Sequence, residues 1–339
     1  MDNGGPVDHT EPNVSTEGPA GDPSGVVVVP CRDLDTAIDG YRAVGFQLRA
    51  IGPADDPTWA ELAIPGVTLV LDGAAPEPEA GPFIKVFDHH RPDNTPPEVL
   101  VAAVQPPIII PDVDQRLVIS HETAAGWNTG RAGMLYRDLL PDRHGGAFIA
   151  SHIHIPNGGP VPDYVHFHDV AFQMIFCHRG WVRVVYQDQG PPFVMEPGDC
   201  VLQPPGIRHR VLEASDDLYV VEISCPAAHR TNLDNDMELP NVRLEPNRSF
   251  GGQRFVRHVS TDVAAHRRTG EAMHIDDTAI SAATGGMASA RVLTASEAVD
   301  DRWPLAHDRD LFLLFVLSGA ATLAGPDGRA ERLGEGSSV

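Results

Sequence analysis

The stretch Gly159-Pro-Val-Pro-Asp-Tyr-Val-His166-Phe-His168 runs on through Gln173 to Gly180. It resumes at Pro197-Gly198-Asp199, Pro204-Pro205-Gly206 and His209, and it decides how the rest of the chain is read. Residues two apart in a strand share a face, so His166 and His168 point to the same side. Gln173 takes the same inward register if a bulge absorbs one residue on the way. Gly180 and Gly198 permit turns at the two ends of a further hairpin. Pro204-Pro205-Gly206 then turns the chain so that His209 returns to the same cavity. Three converging imidazoles make a metal site of intermediate softness, suited to Fe, Ni, Cu, Zn or Mn. A lone His-x-His is usually a pair of ordinary strand residues. Here one explanation must also cover Gln173, both glycines, the Pro-x-Gly turn and His209.

These residues resemble the two motifs of the cupin superfamily. The first motif is a glycine, His-x-His, three or four residues, a glutamate, six residues and a glycine. The second is a glycine, five residues, Pro-x-Gly, two residues and a histidine. The spacing here agrees, except for six residues instead of five between Gly159 and His166. Two residue types depart: Gln173 replaces the usual glutamate, and Glu213 stands where asparagine commonly follows the last histidine. The resemblance implies a mainly β fold built on a cupin (double-stranded β-helix, jelly-roll) barrel. It also implies His166, His168 and His209 as metal ligands, with Gln173 as a weak fourth ligand or a hydrogen-bond donor beside them.

The glutamine bears on chemistry. A carboxylate at position 173 would cancel one charge of a divalent metal, whereas three neutral histidines and an amide cancel none. Such a site favours an anionic, chelating substrate, and the resemblance implies an enolate, a phenolate or a thiolate. Cupin dioxygenases with three-histidine centres look like this. The resemblance therefore implies a non-haem Fe(II) dioxygenase, with Ni, Mn, Zn or Cu as other metals for the site. A metal-dependent isomerase or lyase and a non-catalytic barrel that binds a small molecule are the alternatives.

Neighbouring residues carry less. Tyr164, two before His166, shares its inward face and is a candidate pocket wall. Cys177, four after Gln173, keeps the same alternation and reads as a small core residue or a pocket residue. His152 and His154 form a second His-x-His, but no glutamate or glycine follows at motif spacing, so they read as strand residues.

Outward from the motif, residues 131–230 predict the barrel. The segment 251–339 repeats the pattern faintly: His307, Phe312 and Gly319 keep the spacing of His168, Gln173 and Gly180. Leu305 and Phe312 occupy ligand positions, so a degenerate second barrel is expected. Its second motif would begin at Gly336 and its histidine would fall beyond Val339, so that barrel is expected to be incomplete. Toward the amino terminus, residues 1–24 predict a disordered tail. Over 25–75, strands at Val26–Val29, Phe46–Ile51, Trp59–Ile64 and Val67–Leu71 surround a helix capped at Asp33, with Ala37, Ile38, Tyr41 and Val44 at helical spacing and Gly45 to end it. This β-α-β-β-β order resembles one module of the vicinal oxygen chelate (glyoxalase-like) superfamily, a small α+β unit ahead of the barrels. Glu61 is the one candidate ligand within its strands, and a structural or dimerising role is the expectation. Residues 76–130 read as a linker rich in proline with lead-in strands, and the linker includes a His89-His90 pair.

Composition agrees with many short strands. Gly 32 and Pro 31 make up almost a fifth of the 339 residues, against about 12% in an average protein. The formal net charge is −22 and Lys85 is the single lysine among 25 basic residues, so no basic stripe for nucleic acid exists. No apolar run is long enough to span a membrane. Cys31, Cys177, Cys200 and Cys225 include no CxxC pair, which points to a reducing, cytoplasmic setting. The expected partners are a small anionic substrate and, for the amino-terminal module, a second copy in a homodimer.

Overall fold

The computed structural model describes residues 24–77, 81–87, 99–102, 108–122, 126–130, 133–261, 273–295, 307–325 and 328–339. The expected tail apart from Ser24, the His89-His90 pair and Leu305 lie outside the described residues. The chain divides into two compact units. One comprises the residues up to Ile109 with His166–Asp169 and Ala228–Asn235; the other comprises Ile110–Val165, Val170–Ala227 and Asp236–Val339. Among the described residues, no helix is long and apolar enough to cross a membrane.

The first unit opens with the valine strand β1 (Ser24–Pro30). Asp33 caps helix α1 (Leu34–Ala43), its carboxylate accepting from Thr36 N at 2.9 Å and satisfying one amide that the first turn leaves open. Gly45, at φ +101°, lets the chain leave the helix through the left-handed region. Strands β2 (Gln47–Gly52), β3 (Trp59–Ile64) and β4 (Val67–Asp72) follow, completing the expected β-α-β-β-β order. Because β1 pairs parallel with β4, the sheet order is β2-β3-β4-β1. Ile38 of α1 packs with Ile51, Ala60, Leu62, Leu69 and Leu71 on one sheet face. Glu61 is occupied by an ion pair: Arg230 reaches both of its carboxylate oxygens at 3.0 Å, with the guanidinium over the Trp59 ring.

The proline-rich segment does more than link. Strand β5 (Phe83–Phe87) runs antiparallel to β1, and β6 (Val99–Ala102) runs parallel to β5. The physical reason is Phe87, which buries with Val26, Val28 and Val70 on the sheet face opposite the helix. The surrounding prolines conceal that short apolar run in the sequence.

Beyond residue 126 the strands are short and bounded by turns. They are β7 (Asn128–Thr129), β8 (Leu135–Asp138), β9 (Ile149–Ile155), β10 (Gly159–Pro160), β11 (His166–His168), β12 (Phe172–Arg179) and β13 (Val182–Tyr186). After them come β14 (Phe193–Met195), β15 (Cys200–Leu202), β16 (His209–Ala214), β17 (Leu218–Cys225), β18 (Thr231–Leu233), β19 (Ser249–Phe250), β20 (Gln253–Arg254) and β21 (Val256–His258). In the first unit β11 pairs with β18, and β18 with β2. In the second, β13 pairs with β14 and β16, and β10 adds to β16. Seven strands form its other sheet, in the order β21-β15-β12-β17-β9-β8-β7. Gly180 makes the β12–β13 turn at φ +73°, where an added Cβ would come within 2.4 Å of Ser215 Oγ.

Alternation sorts this seven-stranded sheet into two buried faces. Ile153, Ile175, Cys177, Val201 and Val220 face one core with Val182, Val184, Tyr186 and Met195. Ala150, Met174, Phe176, Cys200, Leu202 and Val221 face the other, against Ile280, Ala283, Leu311, Leu313, Phe315 and Leu317. Among the described residues of 251–339, β21 lies on the edge of the sheet and two hairpins follow. These are β22 (Met273–Asp277) with β23 (Arg291–Ala295), and β24 (Ala320–Ala324) with β25 (Ala330–Gly334). The alternate apolar residues from Leu311 to Leu317 cover the first barrel's sheet. Phe312 points the other way, 42% exposed and stacked on His307.

Candidate metal centre

The sequence places His166 and His168 on β11, with Phe167 between them, and His209 at the first position of β16 after the Pro204-Pro205-Gly206 turn. All three imidazoles are buried. A ring nitrogen of each lies within 4.8 Å of the other two, close enough to hold one metal ion. Hydrogen bonds fix the rings. His209 Nδ1 is 3.1 Å from the Ile207 carbonyl, which only accepts, so the proton sits on Nδ1 and the lone pair on Nε2. His168 Nδ1 is 3.0 Å from Thr231 Oγ1, a partner that can fix its ring in the same sense. Outer partners of this kind orient histidines for metals. Three buried imidazoles, two of them so held, fit a divalent ion of intermediate softness.

Gln173 is buried on β12, but not by the expected bulge. The strand is interrupted between His168 and Phe172: Asp169 N bonds to Arg230 O, and Ala171 N bonds to Cys225 O. The amide of Gln173 is engaged at both ends. Gln203 Nε2 donates to its Oε1 at 2.9 Å, and its own Nε2 donates to Glu222 Oε1 at 2.8 Å. Tyr186 OH donates to Gln203 Oε1, and Ser224 Oγ donates to Glu222 Oε1 at 3.1 Å. Burial pushes the Tyr186 phenol far above its ordinary value, with the Glu222 carboxylate adding to it, so Tyr186 keeps its proton. The Tyr186 ring stacks on His209 at 5.4 Å between centroids.

The two pocket candidates are placed differently. Tyr164 precedes the start of β11, so strand alternation does not extend to it, and it is 40% exposed. Cys177 is wholly buried in the core; its thiol donates to Gly180 O, and burial pushes its pKa up to about 12. Sequence reasoning missed Tyr186, Gln203, Glu222 and His229. His229 lies edge-on to His168 at 5.4 Å. Glu222 could have been found, because a carboxylate on the inward alternation of a core strand, two from Val220, demands a partner. His229 carries no such signal, since it lies outside both motifs.

Residues 151–224 match the cupin domain family. This segment is a cupin domain. No curated protein matches the chain. Among solved structures, the chain is similar to a deletion mutant of Bacillus subtilis oxalate decarboxylase, with 13% identity over 70% of this chain and 78% of that one and a TM-score of 0.40. It is similar to an RmlC-like cupin from Shewanella frigidimarina, with 19% identity over 34% of this chain and 95% of that one and a TM-score of 0.28. A putative mannose-6-phosphate isomerase from Ralstonia eutropha shares 22% identity over 30% of this chain and 91% of that one, with a TM-score of 0.25. The cupin domain covers both sequence motifs and the three histidines.

Proposed function

We propose that the cupin domain is a metal-dependent enzyme, a non-haem Fe(II) dioxygenase acting on a small anionic chelating substrate. The observation that carries this is the donor set: three buried imidazoles whose nitrogens converge within 4.8 Å, with an amide at position 173 where the motif has a carboxylate. When bound there, Fe(II) supplies a centre that attracts both an anionic chelate and dioxygen. The protein's own part is to hold the rings and dry the site. The Ile207 carbonyl keeps the proton of His209 on Nδ1, and Thr231 faces His168 Nδ1. Tyr186, packed at 4.6 Å against Phe255 and at 5.9 Å against Phe193, forms an apolar wall along His209. An uncharged Gln173 leaves the positive charge of the centre for the substrate to neutralise.

Oxygen uptake by the purified Fe(II)-loaded chain, screened with phenolates, diketones and thiols, tests this function. A dioxygenase consumes one dioxygen per substrate and stops under argon. Turnover that is equal under argon would replace it with an isomerase or lyase. Ligand binding with neither metal nor turnover would make the domain a small-molecule-binding barrel.

A further inference from the structure

Resting on the metal-centre proposal, we propose that Glu222 is a positioning residue for Gln173: its carboxylate fixes which way the Gln173 amide, and the hydrogen-bond chain beyond it, points. Strand register brings the two together. Gln173 of β12 is paired with Ser224 of β17 and Ile175 with Glu222, so Gln173, Glu222 and Ser224 share one face. An ionised carboxylate only accepts hydrogen bonds, so Gln173 turns its NH2 toward Glu222 and its Oε1 away. Gln203 must then present its NH2 to Gln173 and its Oε1 to the Tyr186 hydroxyl. Each amide has two orientations, and the acceptor-only end at Glu222 selects one direction for the whole chain. The other end of that chain is Tyr186, stacked on His209. The polarity set at Glu222 thus reaches a ring of the proposed metal site.

The test is a cycle of four full-length proteins: wild type, Glu222→Gln, Gln173→Glu and the exchange carrying both. Mn(II) alone is the probe, and the readouts are its dissociation constant and the melting midpoint of the metal-free protein. Glu222→Gln is isosteric but can donate as well as accept, so the chain loses its fixed direction. Mn(II) binding is expected to weaken about 10-fold or more, the scale of lost outer partners at metal sites. Gln173→Glu sets two carboxylates side by side and lowers the melting midpoint. The exchange keeps one carboxylate and one donor in reversed places, and is expected to restore the midpoint and bring Mn(II) affinity back to at least the wild-type level. Additive effects around the cycle, or a Glu222→Gln protein that binds Mn(II) and melts like wild type, would overturn the role. If the wild type binds no Mn(II), the metal-centre proposal fails separately. The melting midpoints then decide alone: a coupled cycle retains the positioning of Gln173 by Glu222, and an additive one removes it.

Discussion

Two groups of buried histidines in this protein use their nitrogens in opposite ways. In one, His166, His168 and His209 bring a ring nitrogen each within 4.8 Å, and His168 and His209 each engage a partner through Nδ1. In the other, on the face of the seven-stranded sheet turned away from Gln173, the rings are joined end to end. Arg137 Nη2 lies 3.2 Å from His152 Nδ1, His152 Nε2 lies 3.1 Å from His178 Nδ1, and His178 Nε2 lies 2.8 Å from the Leu317 carbonyl. An arginine only donates and a carbonyl only accepts, so both rings are neutral and both nitrogens of each are consumed. Arg137 itself is fully buried and also donates to Ser120 and to the Gly336 carbonyl. This second group ties the barrel to the carboxy-terminal segment, and its guanidinium repels any cation. Each group draws on a His-x-His in the sequence, His166 and His168 in one and His152, without its neighbour His154, in the other; the partners of the nitrogens, not the histidines, separate the proposed metal site from a structural tie.

The sharpest way to break the comparison is to exchange the consequences of the two groups. His209→Ala is expected to reduce bound metal from about one equivalent to background, while His152→Ala leaves it unchanged, both read by elemental analysis. Metal lost equally in both variants would erase the distinction.

Acid comes next. Burial, with the nearby Arg137 charge adding to it, pushes His152 down to about 3 from its ordinary 6.5. The unfolded chain therefore binds the extra proton first, and stability falls as the pH drops from about 6.5 toward 3, by at most about 1.4 kcal/mol per pH unit for this group. Above 6.5 the contribution is complete. Urea unfolding across that range should show the slope in wild type, and His152→Gln should flatten it. Arg137→Met should then cost roughly 3 kcal/mol at neutral pH, because it leaves His152, Ser120 and Gly336 without their donor, while metal content holds. The smallest effect concerns Cys177. With its thiol pushed up to about 12, the native protein should show no labelling at this position by iodoacetamide at pH 8, and unfolding should expose it.

The sequence makes the metal side of this comparison legible and conceals the other side. His166, His168 and His209 stand at spacings that strand geometry and the Pro-Pro-Gly turn convert directly into convergence. The N-cap at Asp33 and the β3–β4 hairpin are equally local signals, and the structure places them where the spacing does. The chain Arg137–His152–His178 joins residues 15 and 26 positions apart and ends on a carbonyl 139 residues beyond His178, so no local pattern reveals it. For Glu222 the inward alternation marks a carboxylate that needs a partner, but that the partner is Gln173, 49 residues away, no local pattern reveals. The faint repeat of the motif at His307, Phe312 and Gly319 is legible only as spacing. The alternation of Leu311, Leu313, Phe315 and Leu317 covers the outer face of the first barrel's sheet, and alternation alone does not say which surface an extended segment covers.

The central claim is that one divalent metal is held by His166, His168 and His209. X-ray absorption spectroscopy of the purified, Fe(II)-loaded chain at the iron edge tests it most directly. The account predicts one iron per chain with three imidazole ligands, falling to background occupancy in His166→Ala. An iron environment without three imidazoles, or one unchanged in His166→Ala, would contradict it.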